Sequence, residues 1–146
     1  LLNEFIKLHS KYSLIIKSIY GSVSSFEHGK LGQTVFHSHV HLLPFTGSPE
    51  EIVPEGKGKL RKIKDFTGLR NFYKIEGKYL YFCIGSDNWV VDAGLAAPRF
   101  FRDRFAKAIG KPERGNWKEM HANEELMKKA EKEIATFKQK VGSFGF

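Results

Sequence analysis

The segment "GQTVFHSHVHLLPF", residues 32–45, constrains the fold more than any other part of the chain. It places three of the six histidines at alternate positions, as His37, His39 and His41. Successive side chains of a β-strand point to opposite faces, so alternate positions share one face. The segment therefore predicts a strand over 33–43 with three imidazole rings in a row on one side of a sheet.

Three histidines on one strand face are compatible with three interpretations. Neutral imidazoles at i and i+2 can share a zinc ion. One imidazole can instead attack an electrophile while a neighbour fixes its tautomer. The rings can also be core residues with satisfied hydrogen bonds. Because rings at i and i+4 stand about 13 Å apart along a strand, one ion cannot readily contact all three. We therefore predict no metal at 37–41.

The remaining pattern predicts one compact α+β domain, mostly an antiparallel sheet with helices packed on it. With 146 residues and 41% hydrophobic content, the chain can bury one core. Apolar spacing predicts a helix over 1–12, and β-branched residues predict a strand over 13–23. A glycine turn follows at 24–32, so the strands over 13–23 and 33–43 are expected to pair antiparallel.

The second half of the chain predicts a loop, a hairpin and two helices. Three prolines and three glycines predict a long loop over 44–59, and "NFYKIEGKYLYFCIG" predicts a hairpin over 71–85 that turns at Glu76 and Gly77. A helix is expected from Pro98 to just before Gly110. Asn123 is expected to be the N-cap of a last helix. We accordingly divide the single domain 1–146 into a core at 1–45, a loop at 46–70, and the hairpin with C-terminal helices at 71–146.

Composition restricts the compartment and the partners. Cys83 is the only cysteine, which excludes a disulfide framework and favours a cytoplasmic protein. No apolar run is long enough to span a membrane, so we expect no membrane partner. The net charge of +8 favours anionic partners. The basic cluster Lys57, Lys59, Lys62 and Lys64 lacks interleaved aromatic residues, so nucleic acid is a less favoured partner.

The segment "GQTVFHSHVHLLP" resembles the motif of the histidine triad hydrolases and transferases, His-x-His-x-His followed by two apolar residues. The "GQT" that precedes it is typical of the fragile histidine triad and related branches, which hydrolyse dinucleoside polyphosphates. The resemblance is clear from about residue 13 to residue 45. A looser likeness to microbial members extends over 96–117, "AAPRFFRDRFAKAIGKPERGNW".

The resemblance implies a role for each histidine of the motif. His39 would attack the α-phosphorus of a nucleotide and hold it as a nucleotidyl-histidine intermediate, with a main-chain carbonyl orienting its ring. His37 and His41 would flank the phosphate. Gln33 and Thr34 would hydrogen-bond phosphate oxygens or the leaving group.

Two further sets of residues are candidates for the site. Glu27 stands where the fragile histidine triad branch has a phosphate-binding glutamine, and a carboxylate there would repel a polyphosphate. Glu27 and His28 are therefore expected either to orient the triad or to act as acid and base. Three arginines of the predicted helix can form a polyanion clamp or a solvated helix face; they are Arg99, Arg102 and Arg104.

In the histidine triad family, strands and a helix that precede the motif build most of the nucleoside pocket. This chain reaches the motif at residue 33, so the first half of the usual domain is expected to be short or missing. The pocket would then be incomplete or made of other material. The resemblance also implies a homodimer, and the apolar helix over 1–12 is the expected contact.

We expect an enzyme that hydrolyses or transfers at a nucleotide α-phosphate, with dinucleoside polyphosphates or nucleoside phosphoramidates as substrates. No cofactor is expected to be required, and Mg²⁺ would enter only with the nucleotide. A non-catalytic nucleotide- or RNA-binding module is the alternative from another class. A related enzyme that acts on nucleic-acid 5′ ends, by deadenylation or cap hydrolysis, is the third hypothesis.

Overall fold

The computed structural model describes residues 1–32 and 37–145 and shows an α+β fold. Five strands form one antiparallel sheet in the order β2-β1-β4-β5-β3. The strands are β1 (Ser24–Glu27), β2 (His41–Leu43), β3 (Leu60–Ile63), β4 (Leu80–Ile84) and β5 (Asp87–Val91). The helices are α1 (Leu2–Tyr20), α2 (Pro49–Ile52), α3 (Phe66–Glu76), α4 (Phe100–Ala108), α5 (Trp117–His121) and α6 (Glu124–Ser143).

The sheet carries an apolar layer on each face. Leu80 and Phe82 of β4 belong to the larger core cluster, together with Phe101 and Phe105 of α4. The intervening Tyr81 and Cys83 belong to a smaller cluster with Leu69 of α3. Because strand side chains alternate between faces, α4 covers one face of the sheet and α3 covers the other. Strand β4 is thus buried at the centre of the fold.

The prediction of a strand over 13–23 is wrong, because α1 continues through these residues to Tyr20. Partly buried side chains recur three or four positions apart along α1, and they are Leu2, Phe5, Ile6, His9, Ser13, Ile16 and Ile19. This stripe outweighs the β-branched content of the segment. Gly21 ends the helix in the left-handed conformation (φ 81°), and its N–H donates to the Lys17 carbonyl at 2.8 Å. The first strand, β1, instead lies inside the predicted turn 24–32.

The prediction of a strand over 33–43 is correct only at its end. Residues 33–36 lie outside the described part of the chain, and 37–40 have no regular secondary structure. Strand β2 begins at His41 and pairs antiparallel with β1, with Phe26 opposite His41. Only one of the three histidines is therefore on a strand.

The predicted hairpin over 71–85 is also wrong. Its first half belongs to α3, which Gly77 ends in the left-handed conformation (φ 69°) with its N–H bonded to the Tyr73 carbonyl at 2.8 Å. The sequence predicts Gly77 as part of a hairpin turn, whereas in the structure it caps a helix. The hairpin of the structure joins β4 to β5, with Ile84 paired to Asp87.

The predicted loops at 44–59 and 46–70 contain regular structure. Helix α2, a 3-10 turn over Lys57–Lys59 and strand β3 lie within them. Ser48 and Glu51 form a capping box that begins α2. The two C-terminal helices are confirmed: α4 begins just after Pro98, and the Asn123 side chain caps α6 by accepting from the Leu126 N–H at 3.1 Å. Within the described ranges, no helix is long and apolar enough to cross a membrane.

Candidate functional site

The three histidines lie side by side at the edge of the sheet formed by β2. The ring centroids of His37 and His39 are 5.6 Å apart, and those of His39 and His41 are 5.1 Å apart. The three rings are therefore neighbours in sequence order, although 37–40 precede the strand and have no regular secondary structure.

The tautomer of His39 follows from one hydrogen bond. Its Nδ1 lies 2.9 Å from the His37 carbonyl oxygen. A carbonyl oxygen can only accept, so Nδ1 must carry the proton of this bond. The Nε2 of neutral His39 then has a lone pair and no proton. His39 thus presents a nucleophilic nitrogen on a ring whose orientation the main chain fixes.

His41 is held as a neutral ring against the core. It stacks on Phe26 with the centroids 4.5 Å apart and the planes 21° apart. The pKa of His41 is lowered to about 4, first by burial and then by the charges of Arg102, His39 and His28. Its Nε2 is buried, with no hydrogen-bond partner in the described part of the chain. An imidazole of this kind can offer a hydrogen bond to a ligand without adding charge.

His28 joins the triad to the beginning of α4. Its ring is buried, and Nε2 accepts a hydrogen bond from the Phe101 backbone N–H at 3.1 Å. This bond uses one of the amides that a helix leaves unpaired in its first turn. The pKa of His28 is lowered to about 4, first by burial and then by Arg102 and His39. His28 is therefore neutral at pH 7 and fixes α4 against β1.

Glu27 connects the sheet to the segment that carries His37 and His39. The carboxylate is buried and accepts hydrogen bonds from the Ser38 hydroxyl and, at 2.7 Å, from the Tyr79 hydroxyl. The Tyr79 ring packs directly over Gly29, where a β-carbon would overlap it. Burial, followed by the Glu27 charge, raises the pKa of Tyr79. Glu27 thus holds Ser38, and with it the backbone between His37 and His39.

The sequence gives no signal for the Tyr79 contact, since Tyr79 follows Glu27 by 52 residues. Strand alternation does not place Ser38, because 37–40 have no regular secondary structure and Ser38 lines the same cavity as His37 and Glu27. Phe26, on which His41 stacks, follows from alternation with Glu27 in β1. Phe26 thus comes from the sheet geometry, whereas Ser38 and Tyr79 reach Glu27 through tertiary packing.

The predicted clamp of three arginines is not assembled as a unit. Arg104 donates twice to the Glu55 carboxylate, at 2.8 and 2.5 Å, and once to the Ile52 carbonyl at 2.9 Å. Arg99 pairs with Asp103 at 3.3 Å. Arg102 alone has its charge close to His28 and His41, and within the described ranges it makes no ion pair.

The other candidate residues contribute less to this geometry. Gln33 and Thr34 lie outside the described residues. Three of the four loop lysines pair with carboxylates, in the pairs Lys57–Glu50 (3.9 Å), Lys59–Asp92 (2.7 Å) and Lys62–Asp87 (2.7 Å). Among residues 1–32 and 37–145, no group of three or more His, Cys, Asp or Glu side chains could hold a metal ion.

Two cavities adjoin the histidines. One has a volume of about 650 Å³ and lies on the α3 side, where Glu27, His37, Ser38 and Tyr79 line it. The other has a volume of about 470 Å³ and lies on the α4 side, where it is lined by His41 and Arg102. Both volumes are in the range of small-molecule sites.

The chain matches no family model, no curated protein and no solved structure. A functional proposal for this chain therefore rests on the histidine motif and the geometry around it.

Proposed function

We propose that the protein is a histidine-triad nucleotide hydrolase or transferase that acts at the α-phosphate of a nucleotide, with His39 as the nucleophile. The observation that carries the proposal is the 2.9 Å contact between His39 Nδ1 and the His37 carbonyl oxygen. It leaves Nε2 as an unprotonated nitrogen on an oriented ring, which is what nucleophilic catalysis by histidine requires.

The reaction would proceed in two displacements. The His39 Nε2 lone pair forms a bond to the α-phosphorus, and the bond from phosphorus to the leaving group breaks with its electron pair on the leaving oxygen or nitrogen. Water, or another acceptor, then attacks the same phosphorus, and the N–P electron pair returns to Nε2. The proton that the acceptor loses on attack balances the proton that the leaving group takes up. The products are a nucleoside monophosphate, or its adduct with the acceptor, and the released leaving group.

Arg102 and the neutral histidines would have different roles around the phosphate. Arg102 supplies positive charge for the oxygens on which negative charge accumulates in the transition state. Because His28 and His41 have pKa values of about 4, they add no charge that would compete with Arg102. The His41 imidazole can still donate one hydrogen bond to a phosphate oxygen.

Dinucleoside polyphosphates and nucleoside phosphoramidates are the substrate classes that we propose, on the resemblance of the histidine motif. The test is phosphorus NMR of diadenosine triphosphate and adenosine 5′-phosphoramidate incubated with the protein. We expect AMP to accumulate, and His39→Asn to slow the reaction by at least about 10³-fold, since the loss of a nucleophile removes the covalent path.

The matched control is His9→Asn, which changes a half-buried histidine of α1 whose ring packs on Phe66. It should retain wild-type turnover. Quenching with detergent at alkaline pH during turnover with α-labelled substrate should trap a label on the wild-type protein that later acid treatment releases, and none on His39→Asn. Full turnover by His39→Asn would refute the proposal.

An RNA-binding module without catalysis is the second candidate, and the net charge of +8 favours it. Binding of single-stranded RNA that weakens steeply with salt, together with no release of AMP from either substrate, would select the module over the enzyme.

A further inference from the structure

The cavity on the α4 side extends from His41 to the beginning of α5. Besides His41 and Arg102, its lining includes Ile109, Arg114 and Trp117. Ile109 follows the last residue of α4, Arg114 lies between α4 and α5, and Trp117 is the first residue of α5. One continuous cavity thus joins the proposed phosphate site to a separate part of the chain.

Two apolar side chains of this cavity are unusually open to solvent. Trp117 is 53% exposed and Ile109 is 38% exposed. The indole of Trp117 makes an edge contact with His121, with the centroids 5.6 Å apart, and Lys118 Nζ lies 5.9 Å from its centroid. An exposed aromatic ring beside a cavity is the element on which a flat base can stack.

The cavity contains two arginines, and the one that is available to a phosphate lies near the histidines. Arg114 is neutralised by Glu133 of α6, to which it donates at 2.9 and 3.2 Å, so it acts as a fixed part of the wall. Arg102 has no ion pair among the residues that the structure describes, and it lies beside His41. The cavity therefore combines one available cation near the triad with apolar walls and an open indole.

We propose that this cavity is the nucleoside subsite, in which the base of the nucleotide stacks on Trp117 while its α-phosphate lies between Arg102 and His39. The inference rests on the proposed function and names the group that its substrate must carry. The side of the subsite away from Phe26 and 41–43 is built by residues between 102 and 117, C-terminal to the histidines. From the sequence, the nucleoside pocket is expected to be incomplete or made of other material, and this subsite would be the second case.

Equilibrium binding of AMP, measured by calorimetry, tests the subsite without requiring turnover. Trp117→Ala should weaken AMP binding by roughly 5- to 150-fold, the loss expected for one stacked base. It should leave the affinity for inorganic phosphate unchanged, because phosphate does not reach the indole. Trp117→Phe should recover part of the AMP affinity, which a merely misfolded variant would not do.

The matched control is Ile75→Ala, which changes an apolar side chain of α3 that is 81% exposed and lies outside this cavity. It should bind AMP as the wild type does. Repeating the titrations in His39→Asn separates the two proposals: Trp117-dependent AMP binding that persists there supports the subsite whatever the turnover result. Wild-type AMP affinity in Trp117→Ala, or no AMP binding by the wild type, would overturn the subsite even if hydrolysis is observed.

Discussion

Lowering the pH from 7 to 4.5 should destabilise the protein through His28. This ring is 5% exposed, and its pKa in the folded protein is about 4, with burial as the main cause. In the unfolded chain a histidine titrates near 6.5. As the pH falls through 6.5, the unfolded state binds a proton that the folded state does not bind until about pH 4. The free energy of unfolding therefore falls across this window and is level below it.

The magnitude follows from the difference between the two pKa values. A difference of about 2.5 pH units corresponds to about 3 kcal/mol in full, of which about 2.5 kcal/mol is lost by pH 4.5. His41 has a similarly lowered pKa and contributes in the same direction, by less because its ring is more exposed. Such a loss is a large fraction of the stability of an ordinary domain.

The assay is urea unfolding at pH 7 and pH 4.5 for the wild type and His28→Gln. Glutamine can place an oxygen near the position of Nε2 and accept from the Phe101 N–H, but it does not titrate. The loss of unfolding free energy between the two pH values should be smaller by about 2.5 kcal/mol in the variant. His121→Gln, which changes an exposed histidine of α5, is the comparison variant. An equal loss in the wild type and His28→Gln would show that burial of His28 does not govern the acid response.

Three further substitutions test contacts that support the site. Tyr79→Phe removes a donor to buried Glu27 and should lower the unfolding free energy by about 1–3 kcal/mol; a urea midpoint equal to the wild type would contradict the contact. Phe105→Ala should cost about 3–5 kcal/mol, because this ring is 1% exposed in the larger core cluster. A double-mutant cycle between Arg104→Met and Glu55→Gln should give a coupling of about 1 kcal/mol at pH 7, since the pair is partly exposed. The pKa of Glu55 is lowered to about 2, so this coupling should persist to pH 4.5 and disappear toward pH 2.

The C-terminal helices could be predicted because local signals and tertiary structure agree there. Asn123 supplies the cap of α6 directly, and Pro98 stands just before α4 where a proline is tolerated. The strand predicted over 13–23 is a helix in the structure. β-branched residues occur in strands and in helices, and only the apolar stripe that continues from residues 1–12 distinguishes the two. The glycine at 77 was ambiguous for a related reason, since the left-handed conformation serves hairpin turns and helix ends alike.

The proximity of the three histidines could be predicted, but not the backbone that carries them or the residues around them. The ring centroids of His37, His39 and His41 follow one another at 5.6 and 5.1 Å, although 37–40 are not a strand. What holds the row depends on residues remote in sequence, such as Tyr79 behind Glu27. The same holds for Trp117, which only tertiary packing brings to the cavity that His41 lines.

Strand β2 lies at the edge of the sheet, and this position affects how the proposed site would be lost under denaturing conditions. Strand β4 is hydrogen-bonded on both sides, whereas the three residues of β2, within the part of the chain that the structure describes, pair with β1 alone. Local opening reactions involve such weakly connected elements at lower free energy than global unfolding. If β2 separates from β1, the three histidines lose their arrangement while β4 and α4 remain folded. Mild denaturant should therefore abolish the proposed hydrolysis reversibly, below the midpoint at which the secondary structure is lost.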